Sequence, residues 1–471
     1  MERLFRLRKT ESLLGAHQEL ENQEIFFASP DELNDPLEGF LNIFWQGDRI
    51  VWRSFFKYYI YNLSAMTYCV AASSEELKLS RKDINFNVDL RCVPNPILRK
   101  FYADCGNDFV NSALVMELVD YLSSSGKKLF RDELAYVLNS LHVMALKIVF
   151  LQASKIFVDP VFGVVGNSPA VEAEIPGRTF LDAVASDQLS TIANLHKVNA
   201  YESSILILRK VALAERKGNI LYLVTGIQFD YIERLIELVY DDVYISCFMM
   251  DFPKAPMWGY YADGHKGCCL IFSTEQTTYL DDYIKKTTDR VMRVKRLSGK
   301  NWISMKVSQV KYSNAYPEVC FFSSVGHVVK GVYQDSWLSE SGNRSYHYER
   351  RYSNHEAWRD KYYAEAHRLF FQKASTWGGE NEARAIIMNF PEQRSVSDRK
   401  LMYHFDNLQG IIFGAKTPVS EKYKIMEIIH RKCRENNRDQ FKFYQAFFSH
   451  VAGEMEMVEL VGMNYSAPTN I

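Results

Sequence analysis

The stretch FFASPDELNDPLEGF, residues 26–40, decides how the rest of the chain is read. Its first residues continue a short β-prone run that begins at Glu24 and ends at Ala28. Ser29-Pro30-Asp31-Glu32 then has the make-up of a capping box with proline at the first helical position, where a missing N–H costs nothing. Asn34-Asp35-Pro36 ends that turn, because the proline ring disfavours the helical region for the residue before it. A strand, a capped turn and a break account for most of the segment. They do not account for Glu38, nor for three polar choices at Asn34, Asp35 and Glu38 beside aromatic-rich runs. Either these side chains only shape a turn, or distant segments meet them at a site.

Upstream, Arg3 to Arg8 alternates as a strand, with Leu4 and Arg6 on one face and Phe5 and Leu7 on the other. Glu11 to Leu20 reads as a helix. Downstream the character changes twice. From 41 to 240 the spacing is mainly helical: Glu133 to Phe157, Asn199 to Lys217 closed by Gly218, and Phe229 to Tyr240. Val158 to Arg178 reads as a connector. After Tyr240, strand patterns return at Val243 to Phe248, Cys268 to Phe272, Val307 to Tyr312, Ala383 to Met388 and Gly410 to Phe413, followed by a helix from Glu421 to Arg434. Leu338 to Asp360 has few aliphatics and reads as a mobile loop or an irregular excursion. The sum predicts an α+β fold whose mixed or antiparallel sheet domain is split in sequence by a large, mainly helical insertion. Its first arm is 1–40, the insertion 41–240, the second arm 241–437 and a C-terminal extension 438–471.

With 47% hydrophobic and 24% charged residues among 471, the chain has the composition of a packed globular protein. A formal net charge of -1 supplies no long-range pull toward nucleic acid or anionic membrane, and no nucleic-acid partner is signalled. Eight cysteines without a C-x-x-C pair point to reduced thiols rather than zinc or disulfides, which fits a cytoplasmic protein. The N-terminus has no apolar stretch of the signal-peptide kind, and the most apolar window, Val143 to Leu151, is too short to span a bilayer. The insertion could carry a homo-oligomer contact or a platform for a macromolecular target.

Two later stretches offer groups that complement residues 26–40. In SCFMMDFPKAPMWGYYADGHKGCCLIF, residues 246–272, a short helix from Pro256 to Ala262 closes at Gly264, and His265 and Lys266 follow in a tight turn. This puts an imidazole at a strand entrance, either as an exposed corner or as a site group. In KASTWGGENEARAIIM, residues 373–388, an extended backbone from Glu380 sets Glu380, Glu382 and Arg384 on one face, with neighbours about 7 Å apart. That face is either a solvated edge or a carboxylate pair tuned by a guanidinium. Phosphate loops, G-x-G-x-x-G, G-x-S-x-G and H-E-x-x-H are all absent from the sequence.

Taken together, Leu4-Phe5-Arg6-Leu7-Arg8, Phe27 to Glu38, Ser246 to Gly267, Trp377 to Arg384 and Ile411 to Lys416 resemble the motifs of a widespread bacterial family of domains of unknown function. The resemblance covers both arms and not the insertion. Gly378-Gly379 and Ala383 stand where the family carries bulkier, often aromatic, residues. The order of an early arginine, a serine-containing second strand and a late Glu-x-Glu strand is also similar to ADP-ribosyltransferases. That similarity implies NAD as substrate and no metal. Arg8 and Ser29 would hold phosphate and ribose, Glu382 would act at the ribose, and Glu380 would assist the acceptor. His265 and Asn34 would hold the acceptor or the nicotinamide, while Asp35, Glu38, Trp258, Tyr261 and Arg384 complete the ligand-binding set. The implied activity is ADP-ribosyl transfer or NAD glycohydrolysis by a toxin-like effector, as in phage defence. Two other readings stay open. One is a nuclease or phosphodiesterase with Asp35, Glu38, His265, Glu380 and Glu382 around Mg²⁺ or Mn²⁺; the other is a non-catalytic sensor of a small ligand or protein.

Overall fold

The computed structural model describes residues 2–72, 78–173, 175–197, 219–240, 242–280, 286–297, 299, 301–388 and 395–467. The fold mixes helix and strand, and the chain divides into two compact units. The first comprises Met1–Phe40, Asp242–Tyr316 and Ala364–Ile471; the second comprises Leu41–Asp241 and Pro317–Tyr363.

The first unit is built on a sheet whose main strands are β1 (Glu2–Arg8), β2 (Glu24–Phe26), β3 (Val243–Met249), β4 (Cys268–Leu280), β5 (Lys286–Arg296) and β6 (Ile303–Gln309). It continues with β7 (Glu382–Met388), β8 (Lys400–Tyr403), β9 (Leu408–Phe413), β10 (Gln440–Ser449) and β11 (Glu454–Glu459). Six strands close a barrel. β1 pairs with β4 and β3, β3 with β7, β7 with β6, β6 with β5, and β5 returns to β4, always antiparallel. Closure removes the exposed backbone edges that an open sheet of this size would present. The alternation of β1 explains its double burial. Leu4 joins Phe248, Leu270, Phe272, Met292, Val307, Ala383 and Ala385 in one core that draws on all six strands. Phe5 and Leu7 join Met249, Cys269, Ile271 and Trp258 in a second core on the other face.

One irregularity positions the site. β1 and β3 share a single register pair, Phe5 with Met249. Beyond it β1 stays on β4 as far as Arg8 opposite Cys268. Meanwhile Ile245 of β3 exchanges both backbone hydrogen bonds with Ala28, at 2.9 and 2.7 Å. The strands therefore fork. Gly267 keeps the far side of β1 tight: a Cβ there would lie 2.3 Å from the Arg8 carbonyl oxygen, so only glycine fits.

In the second unit, helix Arg49–Ala72 buries Trp52, Phe55, Tyr59 and Leu63, and Tyr59 hydrogen-bonds His142 of helix Arg131–Ala153 at 2.7 Å. Arg131–Ala153 is the one helix among the described residues long and apolar enough to cross a membrane; most of its apolar window is buried inside the protein, as in a core helix. The strand Asn42–Trp45 lies between Glu318–Cys320 and Leu129–Phe130, which ties residues after 316 to this unit rather than to the barrel.

Several expectations are corrected. Glu11 to Leu20 is two short helices, Thr10–Leu14 and Glu19–Asn22, separated at Gly15. The stretch 158–178 carries the helix Pro160–Gly166 rather than a bare connector. Residues 338–360 form much of two helices, Tyr346–Tyr352 and His355–Phe370, because aromatic rather than aliphatic side chains carry the helical period. Residues 438–471 are not an appendage: β10 lies parallel to β9 and β11 antiparallel to β10. The expected helix 199–217 lies outside the described residues.

Candidate functional site

A cavity of about 550 Å³ fills the fork between β1 and β3, a size that suits a small-molecule ligand. Arg6, Arg8 and Lys9 line one side; Tyr261, Lys373, Glu380 and Glu382 line the other.

Arg6 points to the face of Leu4 and is almost wholly buried. Its guanidinium crosses the fork, donating to Ser246 Oγ and, at 3.2 Å, to the Phe26 carbonyl, and it lies 5.3 Å from the centre of the Phe248 ring. Among the described residues no carboxylate pairs with it. Burial, and then the charge of Arg8, bring its pKa down to about 10, so it stays a cation at neutral pH. A desolvated guanidinium lacking a carboxylate attracts an anion. Arg8, in contrast, is paired with Glu19, Nε to Oε2 at 2.7 Å.

The opposite wall owes its shape to the entry into β7. A 3₁₀ turn, Ser375–Glu380, is followed by Asn381 at φ 42° and then by the strand from Glu382. The left-handed step is held by Asn381 side-chain bonds to Gln309 and Asp251. Both carboxylates reach one ammonium: Lys373 Nζ lies 2.7 Å from Glu380 and 3.1 Å from Glu382. Glu380 also accepts from the Tyr261 hydroxyl, and the Glu382 amide donates to Tyr312 Oη at 2.7 Å. Behind them Arg384, with no exposed surface, donates Nε to Glu382 at 2.6 Å, both Nη groups to Glu38 at 2.6 and 2.7 Å, and Nη1 to the Phe370 carbonyl at 2.7 Å.

This network splits the two acids. Burial pushes Glu382 up, but Arg384 and Lys373 together outweigh it and hold the carboxyl at about 2. For Glu380 burial wins over Lys373 and Tyr261, and its pKa is raised above the ordinary carboxylate value. Burial likewise raises Glu38 despite Arg384. Lys373 sits well above the usual lysine range: burial lowers it, and the two carboxylates more than compensate. The environments of the two acids thus act in opposite directions, Arg384 and Lys373 favouring the charged form of Glu382 and burial disfavouring that of Glu380.

Of the residues expected at a site, the structure brings Arg8, Asn34, Tyr261, Glu380 and Glu382 to the cavity lining. Glu38 and Arg384 stand behind the acidic wall as its support. Glu380 is not on the strand face with Glu382 and Arg384, because Asn381 breaks the alternation. Four residues lie elsewhere. Ser29 caps the Pro30–Glu32 turn, where its amide donates to Glu32 at 2.8 Å. Asp35 is buried and accepts from the Leu37 amide at 3.0 Å, an Asx turn. Trp258 is core, its indole N–H donating to the Pro253 carbonyl at 3.1 Å. His265, at φ 72°, sits in the turn against Lys416, whose amide donates to the His265 carbonyl at 2.9 Å; its ring is not on the cavity. Of the five groups suggested as ligands of Mg²⁺ or Mn²⁺, Glu380 and Glu382 share Lys373 and Glu38 and Glu382 share Arg384, while Asp35 and His265 are held in turns.

Arg6, Ser246 and Lys373 belong to the site although sequence reasoning missed them. Arg6 had a signal: a charge at an inward-facing position of a strand whose other inward residue, Leu4, is core. Lys373 had none, since its strand, Gln372–Lys373, is two residues long and pairs with Lys311–Tyr312. No family model matches the chain, and neither a curated protein nor a solved structure matches it.

Proposed function

We propose that the chain is a cytoplasmic enzyme that cleaves the N-glycosidic bond of NAD in the fork cavity, transferring ADP-ribose to an acceptor or to water. One observation carries this reading: buried Arg6, without a carboxylate partner among the described residues, shares a single cavity with the Glu380–Lys373–Glu382 wall. NAD offers an anionic pyrophosphate to the first and a ribose C1′ to the second. Arg6 holds the pyrophosphate, and the adjoining Arg8 and Lys9 favour the same charge at the mouth. The C1′–N bond breaks with its electron pair leaving on nicotinamide, and the fixed charge of Glu382 stabilises the oxocarbenium-like centre. The acceptor then bonds to C1′ and passes its proton to Glu380. The motif resemblance to a bacterial family is the sole support for a toxin-like effector role, as in phage defence.

The test is nicotinamide release from NAD by the purified chain, with a thermal-shift titration by NAD and ADP-ribose. Glu382→Gln is expected to lower turnover about a hundredfold or more. Arg6→Met is expected to raise KM roughly tenfold or more, as loss of a charge-assisted bond does. Stabilisation by ADP-ribose without turnover would make the chain a sensor. No stabilisation and no turnover would refute the reading.

A further inference from the structure

Beyond the barrel the sheet continues and ends at β2 on one side and at β11 on the other. β2 is three residues long, and the chain just after it is taken up by the Ala28–Ile245 bridge. β11 is six residues long and, among the described residues, pairs only with β10. The register fixes which of its backbone groups are already bonded. The Leu460 amide donates to the Phe443 carbonyl at 2.8 Å, one step beyond the pair Tyr444 and Glu459. Antiparallel pairs alternate between bonded and non-bonded, so Val458, Glu456 and Glu454 turn their N–H and C=O groups toward β10. Those of Met455, Met457 and Glu459 point the other way, along an open edge.

Edges of this length are ordinarily blunted by proline, lysine, a bulge or a cover. β11, with the sequence EMEMVE, has neither proline nor lysine, and its pairing with β10 runs from Tyr444 to Ser449 without a register shift. Apolar side chains are exposed around it instead: Phe447 and Phe448 on β10, Val458 on β11, Val451 in the turn and Val461 just after the strand. Apolar groups gathered beside unpaired backbone mark an interaction surface. Charge then selects the partner. Glu459 is matched by Lys442 at 3.0 Å on one face. Glu454 and Glu456 lie on the other face and, among the described residues, pair with no cation; Lys422, which reaches that face, is turned to Gln445. A second copy of β11 added across a two-fold axis would bring its own Glu454 and Glu456 to that same face, setting like charges on neighbouring strands. A cationic strand meets no such cost.

We propose that β11 is a docking edge for an extended basic segment of another protein, which adds to the sheet as a further strand. Its lysines or arginines, at alternate positions, face Glu454 and Glu456, and apolar residues on its other side lie beside Met457. The experiment is fluorescence anisotropy of the full chain with a short labelled peptide of alternating lysine and valine. A peptide of alternating glutamate and valine, and the lysine peptide interrupted by proline, serve as comparisons. Glu456→Lys should weaken binding of the lysine peptide about tenfold, and the double variant Glu454→Lys/Glu456→Lys should prefer the glutamate peptide. Met457→Pro removes one outward N–H and none of the bonds to β10, and should weaken binding about tenfold. The glutamate variants carry the test if a melting curve shows Met457→Pro unfolded. Failure of the lysine peptide to bind, a glutamate peptide bound as tightly by the parent, or a proline-interrupted peptide bound as tightly as the unbroken one would each overturn the proposal. So would a dimer in sedimentation that Met457→Pro dissolves, since the edge would then belong to a second copy.

Discussion

Arg384→Leu tests the clamp behind the acidic wall. The substitution removes a fully buried guanidinium and leaves Glu38 without either of its 2.6 and 2.7 Å bonds. Glu382 keeps Lys373 at 3.1 Å, so it is partly compensated; among the described residues Glu38 pairs with no second cation. Removing one member of a buried pair costs about 3–5 kcal/mol, because the other charge stays desolvated. We expect about 4 kcal/mol at pH 7, most of it from Glu38.

The pH dependence gives the sign. Without Arg384, burial and the charge of Glu382, opposed only by the charge of Lys373, raise the folded pKa of Glu38 further above the unfolded value. The folded variant then binds a proton that the unfolded chain has released, so its stability falls as pH rises through the folded pKa and recovers on acidification. The gap between variant and parent should narrow from pH 7 to pH 5. In the parent, Glu382 works the other way. Its pKa, held down by Arg384 and Lys373, makes a contribution to stability that is present above the unfolded pKa and lost as pH falls through the folded one. Urea denaturation followed by both fluorescence and circular dichroism measures this, the two probes guarding against separate unfolding of the two units. A loss below 1 kcal/mol at pH 7, or an equal loss at both pH values, would refute the clamp. So would strict additivity of Arg384→Leu with Glu38→Leu, since removing the stranded carboxylate should restore part of the loss.

Tyr261→Phe removes a hydrogen bond to Glu380 and should cost about 1 kcal/mol or less in stability. Because that hydroxyl helps to lower the Glu380 pKa, the acid limb of nicotinamide release against pH should move upward, and an unmoved limb would mean Glu380 is not the titrating group. Ser29→Ala should cost about 1 kcal/mol, read as a lower melting temperature with unchanged turnover per folded molecule. Asp35→Ala loses the bond to the Leu37 amide and also removes a buried Oδ2 that has no hydrogen-bond partner, so the two effects offset and the melting temperature should hardly move. A fall in activity at constant melting temperature would return Asp35 to the site.

Much of the barrel was legible because alternation is a local property. The faces of β1, and the shared face of Glu382 and Arg384, follow from the period of two and hold in the structure. Where the reading failed, the deciding geometry lay off the strand. Glu380 left the common face through one left-handed residue, Asn381, and the only local hint was the Gly378-Gly379 pair before it. The C-terminal strands were missed for want of a partner. Yet β9, the helix Val419–Glu435 and β10 make a strand–helix–strand crossover, which the sequence displays in full and which demands a parallel neighbour.

The choice between Arg6 and Arg8 shows the limit most clearly. Parity alone places both arginines on the face of Leu4, and nothing within residues 2–8 ranks them. What ranks them is the partner each meets. Glu19 comes from a short helix eleven residues on and neutralises Arg8. Arg6 meets a serine on a strand 240 residues away, in a gap that exists only because Ala28 takes over the pairing of Ile245. A strand fork is a property of three segments at once, so no window of sequence contains it. The same fork that hides Arg6 from a sequence reading leaves it a buried cation that, among the described residues, pairs with no carboxylate.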